Sequence, residues 1–509
     1  MSNKFYLTTT LPYVNALPHI GHTSEFIKAD VITRYKRSVL GKENVWFNVG
    51  TDEHGLKNYQ KARDLGKEPR EYVDELAAGW KEFCELYRIN YDTFYRTSAS
   101  YHVKPAQEFW KRSVAKGDVY KKEYKGWYCV GCEEFKTEKE IIESDEKGEN
   151  GKCAIHKKDL VWTEEENYFF RLSKYRDELL KWIEENPDVL KPAKAKTELV
   201  NWLSEMEDIS ISRSKENLGW GIDVPGDDTQ VMYVWFDALT NYVNVLGFGQ
   251  EFPPKEAFKN EEDWRLKTQN SKLEDWWPGV QIFGVDNLRF QCAIWQGILL
   301  TADLPQTKKL LRNGFILASD GTKMSKTVGN TVSPFDQEEK YGAEAVRFYL
   351  VAGIPTYSDS PYKEDDLVNI YNSHLANNFG NLLNRVIHLA NTKEVKLNDE
   401  DLVENDFKEK ILGYESRLKG LYEEYDLQEA ANLVNELATF GNEYITENEP
   451  WAKDKTNEEI ELTLNNLSYL LKTVIELYAP IIPDSCERAA KMLEKREKGV
   501  LFEKKEVGK

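Results

Sequence analysis

Residues 4–9 (KFYLTT) form a short apolar-rich run that suits a strand, and Pro12 and Pro18 then interrupt any regular element. Ile27, Val31, Tyr35 and Val39 follow at four-residue steps, one face of a helix, with Gly41 placed to end it. Residues 45–49 (VWFNV) read as a second strand. Strand, helix and strand at this spacing predict a βαβ unit with a parallel pair. Residues 117–225 have another texture, with charged helical segments and a polar Gly/Glu/Lys stretch at 144–152. Strand-and-helix character returns at VMYVWFDAL (231–239) and VQIFGVD (280–286), so a parallel sheet is expected to be interrupted and then resumed. From about residue 365 apolar residues recur at three- and four-residue steps, as in LSYLLKTVIEL (467–477), which predicts a helical bundle. The expected division is sheet at 1–117, an insertion at 118–225, resumed sheet at 226–316, a connecting region at 317–368 and a helical domain at 369–509.

Composition narrows the class. The chain has 509 residues, too many for one core, with 41% hydrophobic and 30% charged residues, ordinary for a globular protein. No stretch approaches the roughly eighteen apolar residues of a membrane span, and the N-terminal MSNKFYLTTT lacks the apolar centre of a secretory signal. A cytoplasmic location is expected. The net charge of −19 argues against indiscriminate coating of nucleic acid, though not against a specific nucleic-acid partner. Between Lys111 and Lys125, six basic residues (Lys111, Arg112, Lys116, Lys121, Lys122, Lys125) face only Asp118 and Glu123, a segment that reads equally as a solvated face or an RNA contact.

Three segments carry candidate chemistry. The first, Pro12 to His22, lies between the first strand and its helix, where doubly wound sheets bind ligands. His19 and His22 there can hydrogen-bond a triphosphate, and Gly21 lets a ribose or adenine approach the backbone. The second, Lys323-Met324-Ser325-Lys326-Thr327, follows Asp320-Gly321 and can close two ammonium groups on the β- and γ-phosphates. A solvated basic loop would be the ordinary reading of such a K-x-x-K segment taken without His19–His22. The third is Cys129-x-x-Cys132 and Cys153-x-x-His156, with twenty residues between the pairs. Three thiolates and an imidazole supply a closed tetrahedral zinc site, hence one structural Zn²⁺ per chain. Unrelated thiols would have to produce two such pairs by chance. Cys84, Cys292 and Cys486 are scattered singly, a poor layout for a disulfide framework.

His19-Ile20-Gly21-His22 and Lys323 to Thr327 resemble the HIGH and KMSKS motifs of class I aminoacyl-tRNA synthetases. Thr327 replaces the final serine and keeps a hydroxyl. The resemblance covers most of the chain and is strongest to the methionine-specific members. Leu11-Pro12-Tyr13-x-Asn15-Ala16, Gly50-Thr51-Asp52-Glu53-His54-Gly55, Tyr233 to Ala238 and Gly284-x-Asp286 carry it, together with the cysteine pairs. It implies a Rossmann-like doubly wound sheet split by a zinc-knuckle insertion, a KMSKS loop and stem-contact region, and an all-α anticodon-binding domain. It also implies that Leu11, Tyr13, Trp235 and Tyr242 enclose methionine, with Asp52 on its α-ammonium. Gly284 and Asp286 would lie against the ATP ribose, and Gly21 and Glu25 near the adenosine. Asn381, Arg385 and Trp451 fall where the family reads the anticodon. Each of these aromatics could equally be a packing residue.

One departure stands out: Gln291 occupies a position where many members carry a histidine near the substrate sulfur. Roughly one hundred residues of insertion leave little room for the editing module of branched-chain relatives, which favours methionine. The implied reaction is attack of the methionine carboxylate on the α-phosphorus of ATP with Mg²⁺ on the phosphates, then transfer to tRNA(Met). His19, His22, Lys323 and Lys326 would stabilise charge throughout. A monomer is expected. The competing readings are a cysteine-type or other class I synthetase, and a non-catalytic tRNA-binding paralogue.

Overall fold

The computed structural model describes residues 4–130, 134–136, 140–143, 151–155, 157–324 and 329–507. Two compact units divide the chain. One takes residues 1–17, 40–82 and 91–312, the other 18–39, 83–90 and 313–509.

The first unit is built on a six-stranded sheet in the order Thr93–Arg96, Val45–Thr51, Phe5–Thr9, Val280–Gly284, Lys309–Asn313, Leu190–Lys191. Phe5–Thr9 pairs in parallel with both Val45–Thr51 (Leu7 opposite Phe47) and Val280–Gly284 (Leu7 opposite Val280). Every residue of Phe5–Thr9 and of Val45–Thr51 is buried, as expected of strands covered on both faces. Gly50 permits close strand approach, because a Cβ there would meet the Tyr95 carbonyl oxygen at 1.8 Å. Strand order reverses between Phe5–Thr9 and Val280–Gly284, which opens a crevice at their carboxyl ends. Tyr6, Trp46, Trp276, Trp277 and Trp295 dominate the core on the sheet, with Trp46 edge-on to Trp276 at 5.2 Å.

The insertion has its own antiparallel sheet. Val119–Cys129 and Val161–Phe170 run as a long pair, from Val119 opposite Phe170 to Tyr128 opposite Val161, flanked by Glu134–Lys136 and Ile209–Ser210. Two elements depart from the sequence reading. Leu190–Lys191, inside the insertion, adds an edge strand to the parallel sheet. Asp227–Met232, where the parallel sheet was expected to resume, pairs antiparallel with Ser212–Ser214 and Asp223–Val224. Its outer half is polar and exposed, a pattern that suits an antiparallel sheet with one wet face. The basic segment at 111–125 is largely neutralised in place: Arg112 pairs with Glu108, Lys116 with Asp303, Lys121 with Glu166 and Asp227, and Lys125 with Glu164. That favours a solvated, paired face.

The second unit gathers the Ile20–Leu40 helix with the helices beyond residue 313. Tyr35 stacks on Tyr422 at 3.9 Å and 6°. Gly380–Thr392, Asn405–Glu423, Leu427–Asn448, Asn457–Tyr478 and Pro483–Lys495 form the bundle. Gly441 lets helices come close, since a Cβ there would lie 2.6 Å from Leu382 Cδ2. Thr456 and Glu459 form a reciprocal capping box that starts the Asn457–Tyr478 helix. No helix among the described residues is long and apolar enough to cross a membrane.

Candidate active site and anticodon surface

In the first unit, backbone pairing continues past the strand ends. The Asp52 N–H donates to the Pro12 carbonyl and the Val14 N–H to the Asp52 carbonyl, both at 2.9 Å. This zipper sets Tyr13, with Leu11 two residues before it, beside Asp52 at the carboxyl ends of Phe5–Thr9 and Val45–Thr51. Leu11 and Asp52 are buried, while Tyr13 is half-buried and its hydroxyl accepts from the Asn58 N–H at 3.3 Å. The neighbouring Glu53 has a different duty. Thr51, Ser98 and a bidentate Arg96 fill its oxygens (Arg96 Nε at 2.6 Å, Nη2 at 2.9 Å), so it anchors the loop.

His54 and Asp237 lock that loop to the Val234–Ala238 helix, with His54 Nδ1 3.0 Å from Asp237 Oδ2 and His102 Nε2 3.6 Å from Oδ1. Burial opposes ionisation of Asp237, but the two imidazoles outweigh it and hold its carboxyl below the usual range. The helix so fixed carries Trp235, which stacks on Phe290 at 3.8 Å and 14°. Phe290 opens a π-helical turn, Phe290–Ile294, a widened backbone that also carries Gln291. Gln291 Nε2 donates to the Tyr242 hydroxyl at 2.7 Å, and the Tyr6 hydroxyl donates to the Tyr242 carbonyl at 2.9 Å. Tyr242 and Gln291 are both buried. Gly284 ends its strand, and Asp286 is exposed on the single helical turn after it.

In the second unit, His19 and His22 stack at 3.8 Å and 23°. The His19 N–H donates to His22 Nδ1 (3.3 Å) and the Gly21 N–H to His19 Nδ1 (3.1 Å). With Nδ1 accepting in both rings, each neutral imidazole carries its proton on Nε2 and presents that N–H as a donor. Gly21 leaves room for this ring position, because a Cβ would lie 2.9 Å from His19 Cε1 and push the imidazole aside. Glu25 is buried one turn further on. The Ile20 N–H donates to the Val332 carbonyl at 3.1 Å, tying this helix start to the strand of chain that follows the lysine loop. The loop's base is built: Ala318 and Thr322 close a turn, Asp320 caps Thr322, and Lys323 Nζ sits 4.3 Å over the Phe315 ring. Lys326 lies outside the described residues.

Cys129 and Cys153 are buried together against Leu160. Around Cys153 the chain reverses tightly: the Lys157 N–H donates to the Cys153 carbonyl (2.7 Å) and the Cys153 N–H to the Lys158 carbonyl (3.0 Å). Cys129 ends the Val119–Cys129 strand, and Cys153 lies at the chain reversal. Cys132 and His156, the other expected ligands, lie outside the described residues.

The bundle brings Asn381, Arg385 and Trp451 together. Asn381 Nδ2 and Arg385 Nη1 both donate to Asn442 Oδ1 (3.3 and 3.2 Å), Arg385 Nη2 donates to Thr446 Oγ1 (3.2 Å), and the guanidinium lies 5.7 Å from the Trp451 ring. Trp451 is 44% exposed, an aromatic ring open to solvent beside a cation. Sequence reading missed the asparagines that set this surface, Asn378, Asn435 and Asn442, which bond to one another. It also missed His102, whose role depends on Asp237, distant in sequence, and no local motif could have found it.

The chain belongs to the class I tRNA synthetases. The family "tRNA synthetases class I (M)" matches residues 5–387, and the anticodon-binding domain of tRNA ligases matches 410–507. The chain belongs to the methionine--tRNA ligase family. It is 36% identical over 490 residues to the methionine--tRNA ligase of Nostoc sp., covering 94% of this chain and 88% of the relative. It is 37% identical over 503 residues to that of Thermotoga maritima, covering 97% and 76%. Its fold matches Mycobacterium tuberculosis methionyl-tRNA synthetase in complex with methionyl-adenylate, with a TM-score of 0.85 and 31% identity over 96% of this chain and 93% of that one.

Proposed function

We propose that the chain activates methionine with ATP and transfers it to tRNA(Met), with the residues named above in the roles their chemistry fits. The observation that carries this is the pairing of Asp52 with Tyr13 past the carboxyl ends of two neighbouring parallel strands, which offers an ammonium-binding carboxylate beside residues that suit an apolar side chain. Leu11, Tyr13, Trp235, Tyr242 and Gln291 enclose the amino acid. Gly284 and Asp286 take the ribose, and Gly21 and Glu25 the adenosine side. His19, His22, Lys323 and Lys326 neutralise the triphosphate as the methionine carboxylate oxygen bonds to the α-phosphorus and the bond to the pyrophosphate leaving group breaks. Mg²⁺ enters with the ATP. No side chain becomes covalently attached. Residues 1–117 and 226–316 serve as the catalytic halves, 118–225 as the insertion, 317–368 as the lysine-loop region and 369–509 as the anticodon domain. We place the protein in the cytoplasm as a monomer.

ATP–pyrophosphate exchange tested against all twenty amino acids decides the reading. Exchange with methionine supports it, exchange with another amino acid overturns the specificity, and no exchange leaves only tRNA binding.

Two narrower outcomes follow. Trp451→Ala removes a stacking surface worth about 1–3 kcal/mol per base. The KM for tRNA(Met) in aminoacylation should therefore rise by about fivefold or more, and an unchanged KM would remove Trp451 from the RNA surface. Cys129, Cys132, Cys153 and His156 would hold one Zn²⁺, whose role is to tie the insertion's hairpins together. Metal analysis should return one zinc per chain, and chelation should loosen residues 119–170 to proteolysis. A metal-free chain with the same protease resistance would contradict the site.

A further inference from the structure

Activation and transfer make different demands on the protein. Methionine attacks ATP through a carboxylate that is already ionised, so no proton has to be removed. In the transfer step the terminal ribose of tRNA attacks through a neutral hydroxyl, whose proton must go to a base. The groups assigned to the triphosphate are donors and leave that need unmet.

One buried arrangement in the first unit has the form of a base. Asp237 is ionised and its oxygens only accept, so His54 Nδ1, 3.0 Å from Oδ2, carries the proton of that bond. In the neutral ring the lone pair then lies on Nε2, to which no group among the described residues donates. The other oxygen of Asp237 is also addressed. The Asn244 amide nitrogen, 3.3 Å from His102 Nδ1, can only donate, which leaves the His102 proton on Nε2, facing Asp237 Oδ1 at 3.6 Å. Both imidazoles thus turn a proton to one carboxylate, which fixes the His54 tautomer and the plane of its ring. They are not equivalent: His102 is wholly enclosed, whereas His54 is 5% exposed. The Trp220 ring lies 5.2 Å from the His54 imidazole, and its Nε1 donates to the Glu53 carbonyl at 2.8 Å, a further hold on this loop. His54 stands two positions after Asp52, and Asp237 two after Trp235. The imidazole therefore joins the segment given to the methionine ammonium to the one given to its side chain. The reacting carbonyl branches from the same carbon as both of those groups.

We propose that His54 is the base of the transfer step, with Asp237 and His102 as its positioning residues. The proposal rests on the reading of Asp52 and Trp235 as the amino-acid site. The hydroxyl oxygen of the terminal ribose bonds to the carbonyl carbon of methionyl-adenylate as the carbon–oxygen bond to AMP breaks. The hydroxyl proton passes to His54 Nε2, AMP leaves with the electron pair, and Asp237 offsets the charge gained by the ring. The imidazolium then returns its proton to water.

The test separates the two steps. Methionyl-adenylate formed on the chain is mixed with tRNA(Met), and single-turnover transfer is compared with ATP–pyrophosphate exchange. His54→Asn puts its amide nitrogen near the position of Nδ1, keeping the bond to Asp237 and deleting Nε2. Transfer should fall by about 10²–10⁴-fold, the usual share of general-base catalysis, and exchange by far less. His54→Ala should lose transfer too, and free imidazole in the medium should restore part of it without moving exchange. Unchanged transfer in His54→Asn would overturn the proposal and leave the proton to the adenylate phosphate. Equal losses in both steps, with no recovery in imidazole, would overturn it by showing that His54 only holds the loop. A wild-type chain without methionine-dependent exchange would overturn the functional reading instead.

Discussion

Replacing His22 with alanine lowers methionine-dependent pyrophosphate exchange by about 10²–10³-fold, the usual effect of deleting one preorganised donor from a developing phosphate charge. The loss should appear in kcat more than in the methionine KM, because the group acts on the triphosphate and not on the amino acid. The two stacked rings add a finer expectation. Nδ1 of each ring is taken up by a backbone N–H, from His19 in one case and Gly21 in the other, so the working donor is Nε2. Glutamine places its amide nitrogen near the position of Nε2, whereas asparagine places it near Nδ1. His22→Gln should therefore recover an order of magnitude or more over His22→Asn, which should resemble alanine. Equal rates for the two amides would show that the ring fills space and does not donate.

Arg347→Met should destabilise the second unit by about 3–5 kcal/mol, the range for breaking a buried ion pair from one side. Arg347 is fully buried and makes four bonds: to the Ile481 and Tyr87 carbonyls at 2.8 Å, the Pro480 carbonyl at 3.1 Å and Asp30 Oδ2 at 2.7 Å. Asp30 also receives Arg34 Nε and the Asn90 N–H, each at 2.7 Å. Burial alone would raise its pKa, but the Arg34 and Arg347 guanidiniums outweigh burial and hold the carboxyl below its ordinary value. A depressed folded-state pKa contributes stability above the unfolded value of about 3.9, and that contribution fades as pH falls through the folded value. The variant's deficit should therefore be largest near neutrality and shrink in acid. Denaturant melts at pH 7 and pH 3 check both points, and Asp30→Asn with Arg347→Met should cost less than the two single losses added.

The parallel sheet was legible because its strands are apolar runs bounded by Pro and Gly, and the His19–His22 segment stood out because it falls between a strand and a helix. The bundle was legible from its period. What escaped were features that depend on partners far away in the chain. Leu190–Lys191 is two residues long and is a strand only because Lys309–Asn313 lies beside it. Asp227–Met232 has the composition of a strand, and nothing local to it names the sheet it joins. Gln281, Gln296 and Thr307 each look like ordinary polar residues among apolar neighbours. They are buried and bonded to one another, a property of the fold. Gln291 and Tyr242, which bond to each other and connect to this group through Gln281, were named from the sequence only through the family pattern.

The interleaving of the two units sets an order on synthesis. The helix bearing His19 and His22 emerges early, yet Asp30 must wait for an arginine 317 positions later, which at about 5–20 residues per second is roughly 15–60 s of translation. Tyr35 waits longer still, for Tyr422. Over that interval the nascent helix has only Arg34, one turn on, to pair with Asp30, and the Tyr35 ring is uncovered. A fragment begun at residue 369 would inherit the opposite defect, a bundle with Tyr422 bared where the first helix belongs.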